Sequence, residues 1–319
     1  MSQLTQLTHK IKLLEKIMVK IKKIDRKLVF NLVNQFHPTL NLTTILKTLH
    51  IPRSTYYFWL KFKTKFSAQA QQSRCQQQRI KVLCRTHQYW YGHRKISVLY
   101  QRHFQESIST KKVYHIMRAQ GWLCRLRPKK PRYQHRHLNL SNHLQVQPNL
   151  IRQNFQASQP YQKLFTDITG FKTATGYVYF TAIIDAFNHQ ILTWQTASTP
   201  NLALITKLVR KLPPLKPNCI IHSDQGAVYL SQKIQKMLIK KGCLISMSRP
   251  ATPLDNAVIE NFFGQMKSIL DAHHPTLSQK SHSQIKTILN HFPKFWNQQW
   301  ILSKLNFTTP IAYLHQHDH

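Results

Sequence analysis

At residue 161 the hydrophobic period of this 319-residue chain changes from helical to strand-like, and that change limits the folds open to it. KLFTDIT (163–169), GYVYFTAIID (176–185) and QILTWQT (190–196) are rich in β-branched and aromatic residues. Asp185-Ala-Phe-Asn-His-Gln is a tight connection between the second and third runs, so the three read as an antiparallel meander. A helix over 201–212 leads through Pro213-Pro214 to a buried strand, CIIHSD (219–224). A helix over 231–241 and the strand CLISMS (243–248) follow. The order β-β-β-α-β-α-β-α predicts an α/β fold with a mixed sheet over 161–275 and a helical segment over 276–319.

The first half reads as all-α. Over 1–35, Ile11, Leu14, Met18, Ile21, Leu28 and Leu32 recur at helical spacings, which predicts an amphipathic helix. Residues 36–121 carry two helix-turn-helix patterns. In NLTTILKTLHIPRSTYYFWLKFK (41–63), Leu42, Ile45, Leu46 and Leu49 line one face, and Ile51-Pro52 closes a turn. Ser54 is the expected cap of a recognition helix presenting Arg53, Tyr56, Tyr57, Lys61 and Lys63 to DNA. In 90–121, a helix near 94–104 and a second near 110–119 are expected, with Ser107 or Ser109 capping the second and Gly121 ending it. Arg94, Lys95, Lys111 and Lys112 are its candidate DNA contacts. Between the two patterns SAQAQQSRCQQQRIKV reads as a linker entering a helix. Residues 122–160 read as a basic, proline-containing linker whose Arg125, Arg127, Lys129, Lys130, Arg132 and Arg136 suit a phosphate backbone.

Charge narrows the partners. Lys and Arg number 46 against 10 Asp and Glu, a net +36. The basic residues run along the whole chain, which favours nucleic acid over a membrane surface. No apolar run approaches the roughly 20 residues of a membrane span, and the N-terminal stretch lacks a secretory pattern, so a cytoplasmic protein is expected. The five cysteines are odd in number, widely spaced and without a C-x-x-C, against both a disulfide framework and structural zinc.

Ordinary composition would supply roughly 40 carboxylates. Half of the ten present fall between 167 and 260. Asp167 sits mid-strand, where a carboxylate is costly unless paired or metal-bound. Asp224 ends a strand, and Glu260 lies in a helix opened by the cap-forming Asp255-Asn256. Three carboxylates brought to one edge of a sheet offer all-oxygen ligation suited to two Mg²⁺ ions in phosphoryl transfer. Lys267, seven residues after Glu260, shares its helix face and is a candidate phosphate contact. Arg249 and Asn256 are further candidates for positioning DNA, and His222 and Ser223 for orienting Asp224 or the nucleophile.

The strings WYGHRKI (90–96), LFTDIT (164–169), HSDQGAVY (222–229), SMSRPATPLDNAVIENFFGQMK (246–267) and TPIAY (309–313) resemble the DDE transposases and retroviral integrases. They are most similar to insertion-sequence transposases made from two overlapping frames, OrfA and OrfB (the IS-three family), over about residues 35–315. The sequence departs from the family in its Pro-Ala-Thr-Pro stretch and at Trp300, where an Arg is typical. The resemblance implies an RNase H-like core, catalytic and metal-binding Asp167, Asp224 and Glu260, and two Mg²⁺ or Mn²⁺ ions. It implies cleavage at element ends and strand transfer, terminal inverted repeats and target DNA as partners, a homo-oligomer, and an OrfA-like partner. Two other readings share these residues: a decayed, inactive transposase that only binds DNA, and a ribonuclease H- or resolvase-like nuclease.

Overall fold

The computed structural model describes residues 5, 8, 26–126, 145–213, 215, 217–250 and 252–317, the side chains of 63–67 and 253 excepted. The chain divides into two compact units, Met1–Arg79 and Ile80–His319. Most of the helix expected over 1–35, with Ile11, Leu14, Met18 and Ile21, lies outside the described residues, as do Arg127, Lys129, Lys130, Arg132 and Arg136.

In the first unit α1 (Arg26–Phe36), α2 (Leu42–Thr48) and α3 (Arg53–Lys61) enclose a small core of Val29, Phe30, Leu32, Val33, Phe36, Ile45, Leu46, Ile51 and Tyr56. Asn41 caps α2 through Thr43 N–H. Pro52, not Ser54, stands at the start of α3, because its fixed φ of −58° already suits the entry to a helix. The Gln-rich stretch expected to be a linker is instead part of a continuous helix, α4 (Lys63–Thr86), as its run of good helix formers permits.

In the second unit α5 (His93–Phe104) and α6 (Thr110–Ala119) form the second helical pair. Ser109 caps α6 through Lys112 N–H, and Gly121, at φ +69°, ends it in the left-handed region. β1 (Lys163–Thr173), β2 (Gly176–Asp185), β3 (Ile191–Ala197), β4 (Cys219–Ser223) and β5 (Cys243–Met247) make one sheet in the order β3-β2-β1-β4-β5. β1, β2 and β3 pair antiparallel, and β4 joins β1 in parallel, as does β5 with β4. This is the mixed sheet of an RNase H-like fold. α7 (Leu202–Arg210) and α8 (Gln232–Lys240) cover one face around Leu164, Ile183, Leu208 and Ile234. α9 (Ala257–His273) and α10 (His282–Gln298) cover the other around Phe165, Phe180, Phe262 and Trp296. A last helix, α11 (Pro310–His317), follows. Among the described residues no helix is long and apolar enough to cross a membrane.

α10 also closes the outer edge of β3. Asn297 accepts from Ile191 N–H and donates to Ile191 C=O, both at 2.9 Å. The adjacent Trp296 Nε1 donates to the carbonyl of His189 at 2.9 Å. Burial pushes the His189 imidazole down to about 4, with Lys304 adding to the effect. Its folded value lies below the unfolded one, so the unfolded chain takes up the proton first as pH falls. The stability tied to a neutral His189 is therefore present above pH 6.5 and lost between 6.5 and about 4, on the order of 3 kcal/mol in full. His189→Asn, a residue tolerant of the local φ of +56°, is expected to flatten the acid limb of a urea-midpoint against pH curve. An unchanged slope would assign the acid loss to other groups.

Candidate active site

Strand register brings the first two carboxylates together. β1 and β4 pair Lys163 with Ile220, Leu164 with Ile221 and Phe165 with His222. Two residues further along both strands stand Asp167 and Asp224. The two-residue period puts them on the face that Phe165 and His222 share, the face packed by α9. Asp224 lies just past the end of β4, and its Oδ1 accepts Gly226 N–H at 3.0 Å. A Cβ at Gly226 would meet that same oxygen at 3.0 Å, so glycine leaves the turn its close approach. Asp167 Oδ1 accepts Ile168 N–H at 2.7 Å, and Thr181 Oγ1 donates to the Asp167 carbonyl at 2.9 Å. Glu260 projects from the first turn of α9 and is exposed.

The three carboxylates act on one another. Burial, then the charge of Asp224, raises the Asp167 carboxyl well above its ordinary range. Glu260 adds to the rise, while Ile168 N–H and Lys267 oppose it. Asp224 is raised by burial, and Glu260 by burial and then by Asp224. Among the described residues no group of three His, Cys, Asp or Glu side chains is gathered tightly enough to hold a metal ion. The donor chemistry nevertheless suits a hard cation: oxygen atoms only, and carboxylates whose charges repel without one. Lys267 stands on the same side, its Nζ 5.7 Å from the ring centre of Phe171.

His222 is fully buried, and its Nδ1 lies 2.8 Å from Ser246 Oγ. It thus braces β4 against β5 and does not orient Asp224 directly. Burial lowers it to about 4, with Asp255 opposing, so it is neutral near pH 7. Ser223 Oγ donates to the Asp224 carbonyl at 2.9 Å. Asn256 stands at the N-cap position of α9 as expected but makes no side-chain cap bond, and the Asp255 carboxylate binds elsewhere. Asn256 is buried, which removes it from a DNA-facing surface. Arg249 is exposed and pairs with Asp255 at 2.9 Å.

The helical candidates separate by exposure. Arg53, Arg94, Lys111 and Lys112 are exposed. Tyr56 is only 6% exposed and packs on Phe30, so it is a core residue and not a DNA contact. Its neighbours Tyr57, at 46% with Arg53 over its ring, and Phe58, at 56%, face outward. Lys95 is half-buried: its Nζ sits 4.1 Å from the ring centre of Trp300 and 4.6 Å from that of Tyr91. Burial lowers that amine to about 8. Lys95 therefore spends its charge on two aromatic faces and is not free for phosphate. Arg125 lies over Tyr89. Sequence reasoning missed Asn149 and Gln153. Both fell in the expected linker, yet both donate to Asp255 more than 100 residues away.

Residues 157–253 match the integrase core domain family, and 72–130 match an HTH-like domain. InsK of insertion sequence element IS150 from Escherichia coli K12 is 29% identical over 295 residues, 90% of this chain and 97% of that one. The transposase of element IS904 from Lactococcus lactis is 31% identical over 244 residues, 73% of this chain and 90% of that one. A chain of the simian T-cell lymphotropic virus intasome is similar at 16% identity, with a TM-score of 0.42 and 74% of each chain covered.

Proposed function

The chain belongs to the insertion-sequence transposases that carry an integrase core, and from that premise we propose that it binds the ends of its element and transfers DNA strands there using Asp167, Asp224 and Glu260. The observation that carries the assignment is the β1–β4 register, which sets two carboxylates side by side beneath the helix that holds the third. Two Mg²⁺ or Mn²⁺ ions held by the three would activate the attacking hydroxyl and stabilise the leaving oxygen of an in-line displacement.

The chain's own side chains do the rest. Ile168 N–H and Gly226 N–H fix one oxygen each of Asp167 and Asp224, so neither carboxylate swings away from the shared edge. Lys267 adds positive charge beside the carboxylates and holds the scissile phosphate against them, and the exposed side of Arg249 contacts DNA. Arg53, Arg94, Lys111 and Lys112 grip backbone phosphates along the helical regions, within a chain of net charge +36. A homo-oligomer bridging two element ends, assisted by an OrfA-like partner, completes the reading.

The test is strand joining on a labelled duplex carrying the element ends, with Mn²⁺ or Mg²⁺ present and then chelated. Metal-dependent joining is expected. Cleavage without joining would favour a ribonuclease H- or resolvase-like nuclease. Binding with neither, even with an OrfA-like partner supplied, would identify a DNA-binding protein that has lost the reaction.

A further inference from the structure

One carboxylate on the α9 side of the site has no part in the triad, yet it is the most heavily bonded acid described. The Asp255 side chain is 0% exposed. Its Oδ2 accepts from Arg249 N–H at 3.0 Å, Arg249 Nε at 2.9 Å and Asn149 Nδ2 at 2.9 Å. Its Oδ1 accepts from Arg249 Nη2 at 3.0 Å and Gln153 Nε2 at 3.1 Å. A carboxylate offers about four lone-pair sites, so these donors saturate it and leave nothing for a cation. Asp255 is therefore not a fourth metal ligand.

The donors come from two stretches of chain far apart in sequence. Arg249 opens the turn that leads through the short 3-10 segment Pro253–Asn256 straight into α9. Asn149 and Gln153 belong to the segment that follows the basic stretch 127–144. That segment is braced by one internal bond and by one further bond to β5. Asn149 Oδ1 accepts Arg152 N–H at 2.9 Å, and Ser246 Oγ accepts Leu150 N–H at 2.9 Å. The Ser246 hydroxyl also hydrogen-bonds with His222 Nδ1, 2.8 Å away. His222 lies two residues before Asp224. The bonds thus run from the start of the Glu260 helix, through segment 149–153 and Ser246, to β4, the strand that leads into Asp224.

We propose that Asp255 is a positioning residue: by clamping the turn 249–256 onto residues 149–153, it sets where the first turn of α9 begins, and so where Glu260 stands relative to Asp167 and Asp224. The proposal rests on the reading of Glu260 as a metal ligand. Only Asn256 stands between Asp255 and the start of α9, so a shift of the turn passes to Glu260 with little chain to absorb it. The bidentate pair also fixes Arg249, whose side chain remains 60% exposed. Lysine could not reproduce that fork.

The experiment compares full-length wild type, Asp255→Asn, Arg249→Lys and Glu260→Gln in two measurements. The first is amide hydrogen exchange, which needs no activity. Asp255→Asn turns one acceptor oxygen into a donor facing donors, and protection is expected to fall at 149–153 and 249–260 while β1, β2 and β3 keep theirs. The second is strand transfer against Mg²⁺ concentration. Asp255→Asn is expected to lower kcat by about 100-fold, with the KM for the DNA ends within about threefold of wild type. Because Mg²⁺ demands near-ideal octahedral ligation, its half-saturating concentration should rise by about tenfold, and Mn²⁺ should recover part of the rate for Asp255→Asn but none for Glu260→Gln. Arg249→Lys should show a weaker form of the same pattern. Transfer within about threefold of wild type, unchanged exchange at 249–260, or loss of protection throughout the sheet would each overturn the proposal. If wild type itself failed to join strands, the reading of Glu260 would fall, and the exchange pattern alone would decide whether Asp255 holds the turn.

Discussion

Glu260→Gln is expected to leave duplex binding within about twofold of wild type and to lower strand transfer by at least about 10³-fold. The substitution keeps the shape of the side chain and removes one negative charge. Glu260 is exposed on the first turn of α9, so little packing is lost. The overall charge of +36 becomes one unit more positive, a small change in the field that draws DNA. On the proposed reading the site loses one of three charges that would face a cation, and several kcal/mol of transition-state stabilisation would go with it. Gel shift and joining assays on the same labelled ends separate the two effects. Cleavage by the variant at the wild-type rate would sink the three-carboxylate site.

Trp296→Ala is expected to cost about 3–5 kcal/mol of stability, measured as a shift of the urea midpoint at unchanged m value. Trp296 is 2% exposed and meets Phe262 of α9 edge-on, with ring centres 4.8 Å apart. It also stacks parallel to Trp300 at 6.5 Å. Truncation leaves a large void between α9 and α10 and strips the His189 carbonyl of its donor. The damage reaches the helix that carries Glu260, so activity should fall with stability. A loss below about 1 kcal/mol would mean that the neighbouring rings collapse into the space.

Much of this molecule was legible because its signals are local. Gly176–Asp185 was bounded correctly by its β-branched and aromatic run, and Ser109 and Gly121 bracket α6 by chemistry that acts within one turn. Asp167, Asp224 and Glu260 stood out because acid is so scarce in this chain. What escaped depends on distant partners. Tyr56 and Tyr57 are adjacent on one helix, and only the position of α1 decides which is core. Lys95 looked like a phosphate contact because its partner Trp300 is 205 residues away in sequence. Asp255 has the chemistry of a helix cap, and the donors that claim it, Asn149 and Gln153, sit in a stretch without periodicity. The helix over Lys63–Thr86 was hidden for a different reason: its polar composition gives helix propensity without an apolar face to announce it.

The amide of Asn297 imitates a neighbouring strand. By occupying both backbone groups of Ile191, it fills a rung of the ladder that a sixth strand would otherwise use. At that rung β3 is thereby closed to strand addition from another chain, a protection many sheets achieve with charge or proline.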